Sequence, residues 1–314
     1  MKIHNFNNLK ENNFTYGGHA GQKLGVIIDN GNWFLKFPKS TKSFENKVDM
    51  SYSTSPLSEY IGSHIYELMG IPVHKTLLGI KDKKVVVACK DFRYNIKTVR
   101  FEDYNAMNNI YVSGLEEKLS SSSSSHFVDL NDLMIIMDNN PRFIQLPELK
   151  KHFWDMFIID AFIGNNDRNS GNWGILIDDD TNKMIPAPVF DNGASFSNNI
   201  DNAKIERILM DNTRFEQSAY FSKICAFSLE DKPLNPFKYL ESLKNKECNE
   251  ALIRIVPKID IEKICKMIAE IPESYEGIEV ISPVRKEFYI KCLKYRYNKS
   301  LYPAYLEALK LKEN

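Results

Sequence analysis

The sequence predicts a two-lobed α+β fold, with a small β-rich lobe carrying one main helix over residues 1–91 and a larger, mostly helical lobe over 92–314. Three observations carry that expectation. Between Leu24 and Cys89, short β-type runs bounded by turn signals surround a single amphipathic stretch. From Leu149 onward, apolar residues recur mainly at helical spacing. At 314 residues the chain is also long enough to bury more than one core.

Bulk properties narrow the field. Hydrophobic residues make up 43% and charged residues 26%, the proportions of a soluble globular protein. Forty-one basic and 41 acidic side chains cancel, so neither nucleic acid nor an anionic membrane is an expected direct partner. The five cysteines, Cys89, Cys225, Cys248, Cys265 and Cys292, show no CxxC pair and no zinc-type spacing with histidine. They read as reduced thiols of a cytoplasmic setting, with Cys89, Cys225 and Cys265 as core residues. The polar start MKIHNFNNLKENNF has no apolar core of a Sec-type signal, and no apolar run is long enough to span a bilayer.

In chain order, the first element is the glycine-dense turn YGGHAG, Tyr16 to Gly21, ahead of a strand at Leu24–Asp29. An Asn30-Gly31 hairpin signal and a second strand, Asn32–Phe37, follow. Backbone N–H groups at Gly17, Gly18 and Gly21 could approach an anion closely, although an ordinary hairpin also uses glycine. Lys36 ends the second strand among Phe34, Leu35 and Phe37. It is either an edge lysine pointing to water or a cation that grips phosphate. Pro56–Met69 is an amphipathic helix opened by proline and closed by Gly70, with Glu59 in its first turn. There the carboxylate either favours the helix dipole or pairs with Lys36. A further hairpin, Leu77–Ile80 and Val85–Cys89 around Lys81–Lys84, exits through Lys90-Asp91-Phe92. A two-lobed nucleotide binder would have its hinge there, so Lys90 and Phe92 are nucleotide-site candidates through their backbone. Residues 93–148 are the least readable. Within them Ser120–Ser125 is a low-complexity surface loop and a hydroxyl-rich candidate for self-modification.

Leu149–Ile163 is apolar widely enough for a buried helix, ended by Gly164. The run DAFIGNNDRNSGNWGIL then places Asp167 five positions before Asn172, at the exit of that helix and ahead of a strand. A turn reading is available, because Asn, Asp and Gly are turn residues. A hairpin of Trp173–Ile177 and Met184–Phe190 around Asp178–Asn182 delivers Asp191 in FDNG. Both of its ends point the same way, which puts Asn172 and Asp191 side by side. From about Asp201 the pattern is helical, clearest at Asp260–Ile271 and Pro283–Lys310. The basic, tyrosine-rich second segment is expected to pack its aromatic face and leave its lysines in solvent, rather than bind nucleic acid or membrane.

A glycine-rich turn, a strand lysine, a helix glutamate, a hinge, a D-x-x-x-x-N loop and an Asp before glycine form an ordered set that fits phosphoryl transfer. In that reading Lys36, held by Glu59, binds the phosphates of ATP. Asn172 and Asp191 hold Mg²⁺, and Asp167 accepts the proton of an acceptor hydroxyl. Walker A is absent, which argues against a P-loop NTPase. Asp167, Asn169, Gly171 and Asp178 also echo a calcium loop. Yet Asn172 stands where the sharp turn wants glycine, and the segment beyond reads as strand.

AGQKLGVIIDNGNWFLK (20–36), SEYIGSHIYELMGIPV (58–73), IGNNDRNSGNWGIL (163–176) and APVFDNG (187–193) together resemble the HipA-like serine/threonine kinases. The loop also resembles the DRxxxN loop of phosphoinositide kinases. The first resemblance implies a two-lobed protein-kinase-like fold and Mg-ATP. It also implies transfer to Ser or Thr of a protein, autophosphorylation included. Lys36, Glu59, Asp167, Asn172 and Asp191 take the roles given above. The chain begins almost at the glycine-rich turn, without the extra N-terminal subdomain of HipA toxins, so an antitoxin partner is not expected. Export to a host cell by a route without a signal is a further expectation from the resemblance. Position 169 is asparagine where ordinary protein kinases carry lysine, and Arg168 or a second Mg²⁺ is the expected substitute for that charge. A nucleotide-binding module without turnover and a lipid kinase are the alternatives.

Overall fold

The computed structural model describes residues 2–12, 14, 23–40, 52–112 and 128–313, with backbone alone for 109–112. The turn bearing Gly17, Gly18 and Gly21 and the serine run at 120–125 lie outside the described residues.

The N-terminal part is built on strands β1 (His4–Asn5), β2 (Lys23–Ile28) and β3 (Gly31–Lys36), helix α1 (Ser55–Leu68), and strands β4 (Thr76–Lys81) and β5 (Lys84–Lys90). Among the described residues these strands form one sheet in the order β1-β4-β5-β3-β2, antiparallel except for the β1–β4 pair. The β2–β3 turn falls one residue earlier than the sequence suggested. Asp29 and Asn30 take φ of +47° and +58°, a two-residue primed turn that Asp and Asn tolerate, and Gly31 opens β3. Helix α1 begins at Ser55, so Glu59 lies in its second turn and not in the dipole-favoured first. Inward residues Ile61, Ile65 and Tyr66 bury α1 against β4 and β5 on one side and the following helical part on the other.

The rest of the chain runs through β6 (Val99–Asp103), α2 (Tyr104–Val112), β7 (Val128–Asp129), α3 (Leu130–Asn139), α4 (Pro141–Gln145), α5 (Pro147–Ile163), β8 (Gly174–Asp178) and β9 (Lys183–Pro186). Beyond them come α6 (Asn202–Leu209), α7 (Asn212–Glu216), β10 (Phe227–Leu229), β11 (Lys232–Pro233), α8 (Pro236–Ser242), α9 (Lys246–Ile255), α10 (Ile261–Ala269), β12 (Ser274–Tyr275), β13 (Ile278–Glu279), α11 (Pro283–Arg296) and α12 (Tyr302–Glu313). Strand β8 pairs with both β6 and β9. The helix expected over Pro283–Lys310 is broken by a π-helical turn at Tyr297–Leu301. Pro303 supplies the reason, because a residue without N–H cannot continue the ladder from the preceding turn. Its aromatic face does pack, with Phe288 and Tyr289 buried.

Helix α5 is the axis of this part. Leu149, Phe153, Trp154, Phe157 and Ile158 are buried in one core, and Gly164 ends the helix at φ +70°. A Cβ there would come within 2.8 Å of the Arg296 guanidinium, so the site needs glycine for space as well as conformation. All five cysteines are buried and unpaired. No helix among the described residues is long and apolar enough to cross a membrane.

Burial in α5 pulls the His152 imidazole down to about 4, below the 6.5 of an exposed histidine. The unfolded chain then binds a proton between pH 6.5 and 4 that the folded chain refuses, so stability falls as pH drops through that window, by up to roughly 3 kcal/mol. Urea denaturation at pH 7 and pH 4.5 should show a smaller decline in His152→Gln than in the wild type.

Candidate active site

Three elements converge on one cleft. Strand β3 brings Lys36 inward at its last residue. Its Nζ donates to Glu59 Oε2 at 2.6 Å and to Asp191 Oδ1 at 2.7 Å. Lys36 is therefore no edge lysine. It is 8% exposed, and Glu59 beside it is fully buried. Burial alone would drive the ammonium toward neutrality, but the Asp191 and Glu59 carboxylates hold its pKa above the usual lysine range. Glu59 is held well below the usual carboxylate range despite its burial, chiefly by Lys36 and then by His74. Its second oxygen accepts from the Asn192 backbone N–H at 3.0 Å and lies 2.8 Å from His74 Nε2.

Asp167 stands on the same cleft wall as Lys36, Glu59 and Asp191. Its backbone is fixed from both directions. Asp167 N–H donates to Asn165 Oδ1 at 3.1 Å, and Asn172 Nδ2 donates to the Asp167 carbonyl at 2.7 Å. Asn169 Nδ2 donates to Asp167 Oδ1 at 2.9 Å, so the asparagine at position 169 orients the carboxylate. Asp191 is in the left-handed region at φ +57°, conformational strain held in place by its packed surroundings.

The hairpin forms over Gly174–Asp178 and Lys183–Pro186, so its second strand ends short of the expected Phe190. Arg168 Nη1 donates to the carbonyl of Asn172, at its start, and to that of Phe190, the residue before Asp191. One guanidinium nitrogen therefore clasps the two segments. Arg168 is 1% exposed and its five N–H donors are all used, the others on Asp160 and Asn192. This corrects the expectation that Arg168 supplies a charge to the cleft; it is an internal clasp. Asp160 in turn accepts from Tyr66 Oη at 2.8 Å and from Asn165 Nδ2 at 3.1 Å. Arg168→Ala leaves the Asp160 carboxylate buried and without its cation, and should cost about 3–5 kcal/mol by chemical denaturation.

Asn192 was not singled out from the sequence, yet it is fully buried and binds three partners. Beyond its bond to Glu59, its amide takes a hydrogen bond from Arg168 and gives one to Ser63 Oγ at 3.1 Å. Gly62 makes this possible, since a Cβ there would lie 2.8 Å from Asn192 Cβ. The only hint in the sequence was its place next to Asp191.

The hinge candidates lie apart from this cluster. Lys90 is exposed, its N–H given to the Lys75 carbonyl at 2.8 Å, and Asp91 N–H goes to Asn32 O at 2.9 Å. Phe92 packs its ring at 5.4 Å from Phe190 and 5.8 Å from Phe101. This links the exit of β5 to the segment that carries Asp191. Asp178 closes the far end of β8 and accepts from Tyr94 Oη.

No protein-family model matches the chain. It is 33% identical over 299 residues to the serine/threonine-protein kinase CtkA of Helicobacter pylori, covering 94% of this chain and 85% of that protein. The chain belongs to the CtkA family of serine/threonine-protein kinases. Its fold agrees. The crystal structure of a Helicobacter pylori proinflammatory kinase CtkA superposes with a TM-score of 0.85 at 30% identity, over 99% of both chains. The HipA toxin of Shewanella oneidensis, solved with HipB and operator DNA, matches with a TM-score of 0.53 at 13% identity over 94% of this chain and 67% of that one. That likeness extends to the fold alone. The kinase-like architecture expected from the sequence, a sheet-bearing N-terminal part followed by a helical one, is the architecture of these relatives.

Proposed function

We propose that the chain transfers the γ-phosphoryl group of ATP to serine or threonine hydroxyls of a protein acceptor, itself included. The observation that carries this reading is the Lys36 ammonium, held between Glu59 and Asp191 on the cleft wall that also bears Asp167. In this reading residues 1–91 form the N-lobe and 92–314 the C-lobe.

Each side chain then has one task. Lys36 neutralises phosphate charge, and Glu59 keeps it aimed. Asp167 accepts the proton as the acceptor oxygen bonds to the γ-phosphorus and the bond to the ADP oxygen breaks; the proton is later released to water. Asn172 Oδ1 and the Asp191 carboxylate offer hard oxygen donors that suit Mg²⁺, and the Asn172 amide is oriented because its nitrogen is committed to Asp167 O. A magnesium ion held there would neutralise charge on the phosphate oxygens. Backbone groups at Lys90–Phe92 beyond the two N–H donors already given to Lys75 O and Asn32 O serve adenine. Positioning and charge neutralisation account for the rate, with little covalent chemistry left to the protein.

Incubation with labelled ATP and Mg²⁺, in the presence of a serine/threonine peptide library and of phosphoinositide vesicles, tests the reading. Label is expected on the protein and on peptides. Label confined to lipid would assign a lipid kinase, and ATP-dependent thermal stabilisation without any label would assign a binding module.

A further inference from the structure

A second cavity of about 480 Å³ lies across the first turn of α1 from the cleft, with Pro56 on the wall of both. Its walls come from the β4–β5 turn with Lys83 and Lys84, from the start of α1 with Thr54 and Leu57, and from Arg285 in the first turn of α11. Two independent features there ask for an anion.

The first is Arg285, which is 4% exposed. Its Nη2 donates to Ile200 O at 2.7 Å and Asn202 Oδ1 at 3.1 Å, and its plane lies over the Tyr289 ring at 6.0 Å. Nη1 has no hydrogen-bond partner among the described residues. A buried guanidinium with unspent donors calls for an acceptor. The second is α1 itself, whose N-terminus has no side-chain cap and no acidic residue in its first turn. Thr54 Oγ1 turns away and donates to Asn198 O at 3.1 Å, leaving the positive end of a 14-residue helix without a neutralising group. Two carboxylates also line the cavity. Asp201 is committed to capping α6, accepting from Lys204 N–H at 2.6 Å, and Glu279 is exposed at the surface.

We propose that this cavity binds a phosphate monoester carried on a serine or threonine of a protein segment, the phosphate meeting Arg285 and the N-terminus of α1. The volume exceeds what a bare phosphate needs and falls in the roughly 300–1,000 Å³ class of sites that hold larger ligands. Leu57, Val85 and Ile281 on the wall suit the side chains flanking such a residue. The choice of a protein-borne source rests on the kinase reading, since that reaction makes these monoesters; binding itself does not depend on it.

The test uses the full chain carrying Asp167→Ala, which silences transfer and leaves the Lys36 ion pairs in place. Fluorescent degenerate peptide pools with a fixed central phosphoserine or a fixed serine are compared by polarisation at low salt, with inorganic phosphate as competitor. The phosphoserine pool should bind at least tenfold more tightly. Arg285→Met and, independently, Lys83→Glu with Lys84→Glu, the first exposed and the second half-buried over the Tyr52 ring, should each remove most of that advantage. If Arg285→Met does not fold, the lysine pair decides alone. Equal affinity for the two pools, or full affinity in the Lys83/Lys84 variant, overturns the site. Thermal stabilisation by inorganic phosphate with no binding of either peptide pool overturns the protein-borne source. Labelling from ATP is measured separately, so loss of kinase activity with peptide binding intact would overturn the catalytic reading and leave this site standing.

Discussion

Asp167→Ala is expected to lower phosphoryl transfer by about 10²-fold or more while leaving ATP affinity close to that of the wild type. The separation follows from the geometry. In the proposed reading phosphate charge is met by Lys36, whereas Asp167 takes only the proton of the acceptor hydroxyl. Asn169 occupies Asp167 Oδ1, and among the described residues nothing donates to its other oxygen. Truncation removes that acceptor without touching the backbone bonds that shape the loop. The side chain is half-buried, so the cost in stability should stay below about 1 kcal/mol. Single-turnover rates with an equilibrium nucleotide titration check both halves, and full turnover in this variant would mean that another group is the base.

Lys36→Met should do the opposite, abolishing nucleotide binding and destabilising the fold together. The ammonium is the shared counter-ion of Glu59 and Asp191, and its removal leaves two carboxylates facing one another in a largely dry site. Breaking a buried pair in this way costs about 3–5 kcal/mol. The pH dependence identifies the cause. Glu59 is depressed in the fold, so its contribution is present above its unfolded pKa near 4.5 and is lost as pH falls through the lower folded value. Lys36 is raised, so its contribution is present below 10.5 and is lost as pH rises through the higher folded value. The wild type therefore keeps the whole benefit across the neutral range. In Lys36→Met the deficit should be largest near pH 7 and shrink on acidification, as the abandoned Glu59 carboxylate takes up a proton. A deficit independent of pH would point to lost packing instead.

The parts of this molecule that were legible in the sequence are those in which chemistry and local pattern coincide. Lys36, Glu59, Asp167 and Asp191 could be placed in one site because their order along the chain was informative, and β3, α1 and the hairpin after Asn172 deliver them to a common wall. What stayed hidden depends on contacts remote in sequence. Strand β6 pairs with β8, which follows several intervening helices, and no local signal in Val99–Asp103 announces that partner. Arg168 reads as a charge supplied to the cleft until Asp160, Asn172, Phe190 and Asn192 are seen around it. Glu59 slipped from the first helical turn to the second because α1 starts at Ser55, one residue before the proline that seemed to open it. Pro303 was visible throughout, but the break it causes falls in the preceding turn.

The central claim is that Lys36, Asn172 and Asp191 form the phosphate and metal end of a nucleotide site. A crystal structure of the Asp167→Ala protein with Mg²⁺ and a non-hydrolysable ATP analogue tests it most directly. The account predicts a triphosphate against Lys36 with metal density against Asn172 and Asp191. Phosphates bound elsewhere, with the Lys36–Asp191 pair still closed, would contradict it.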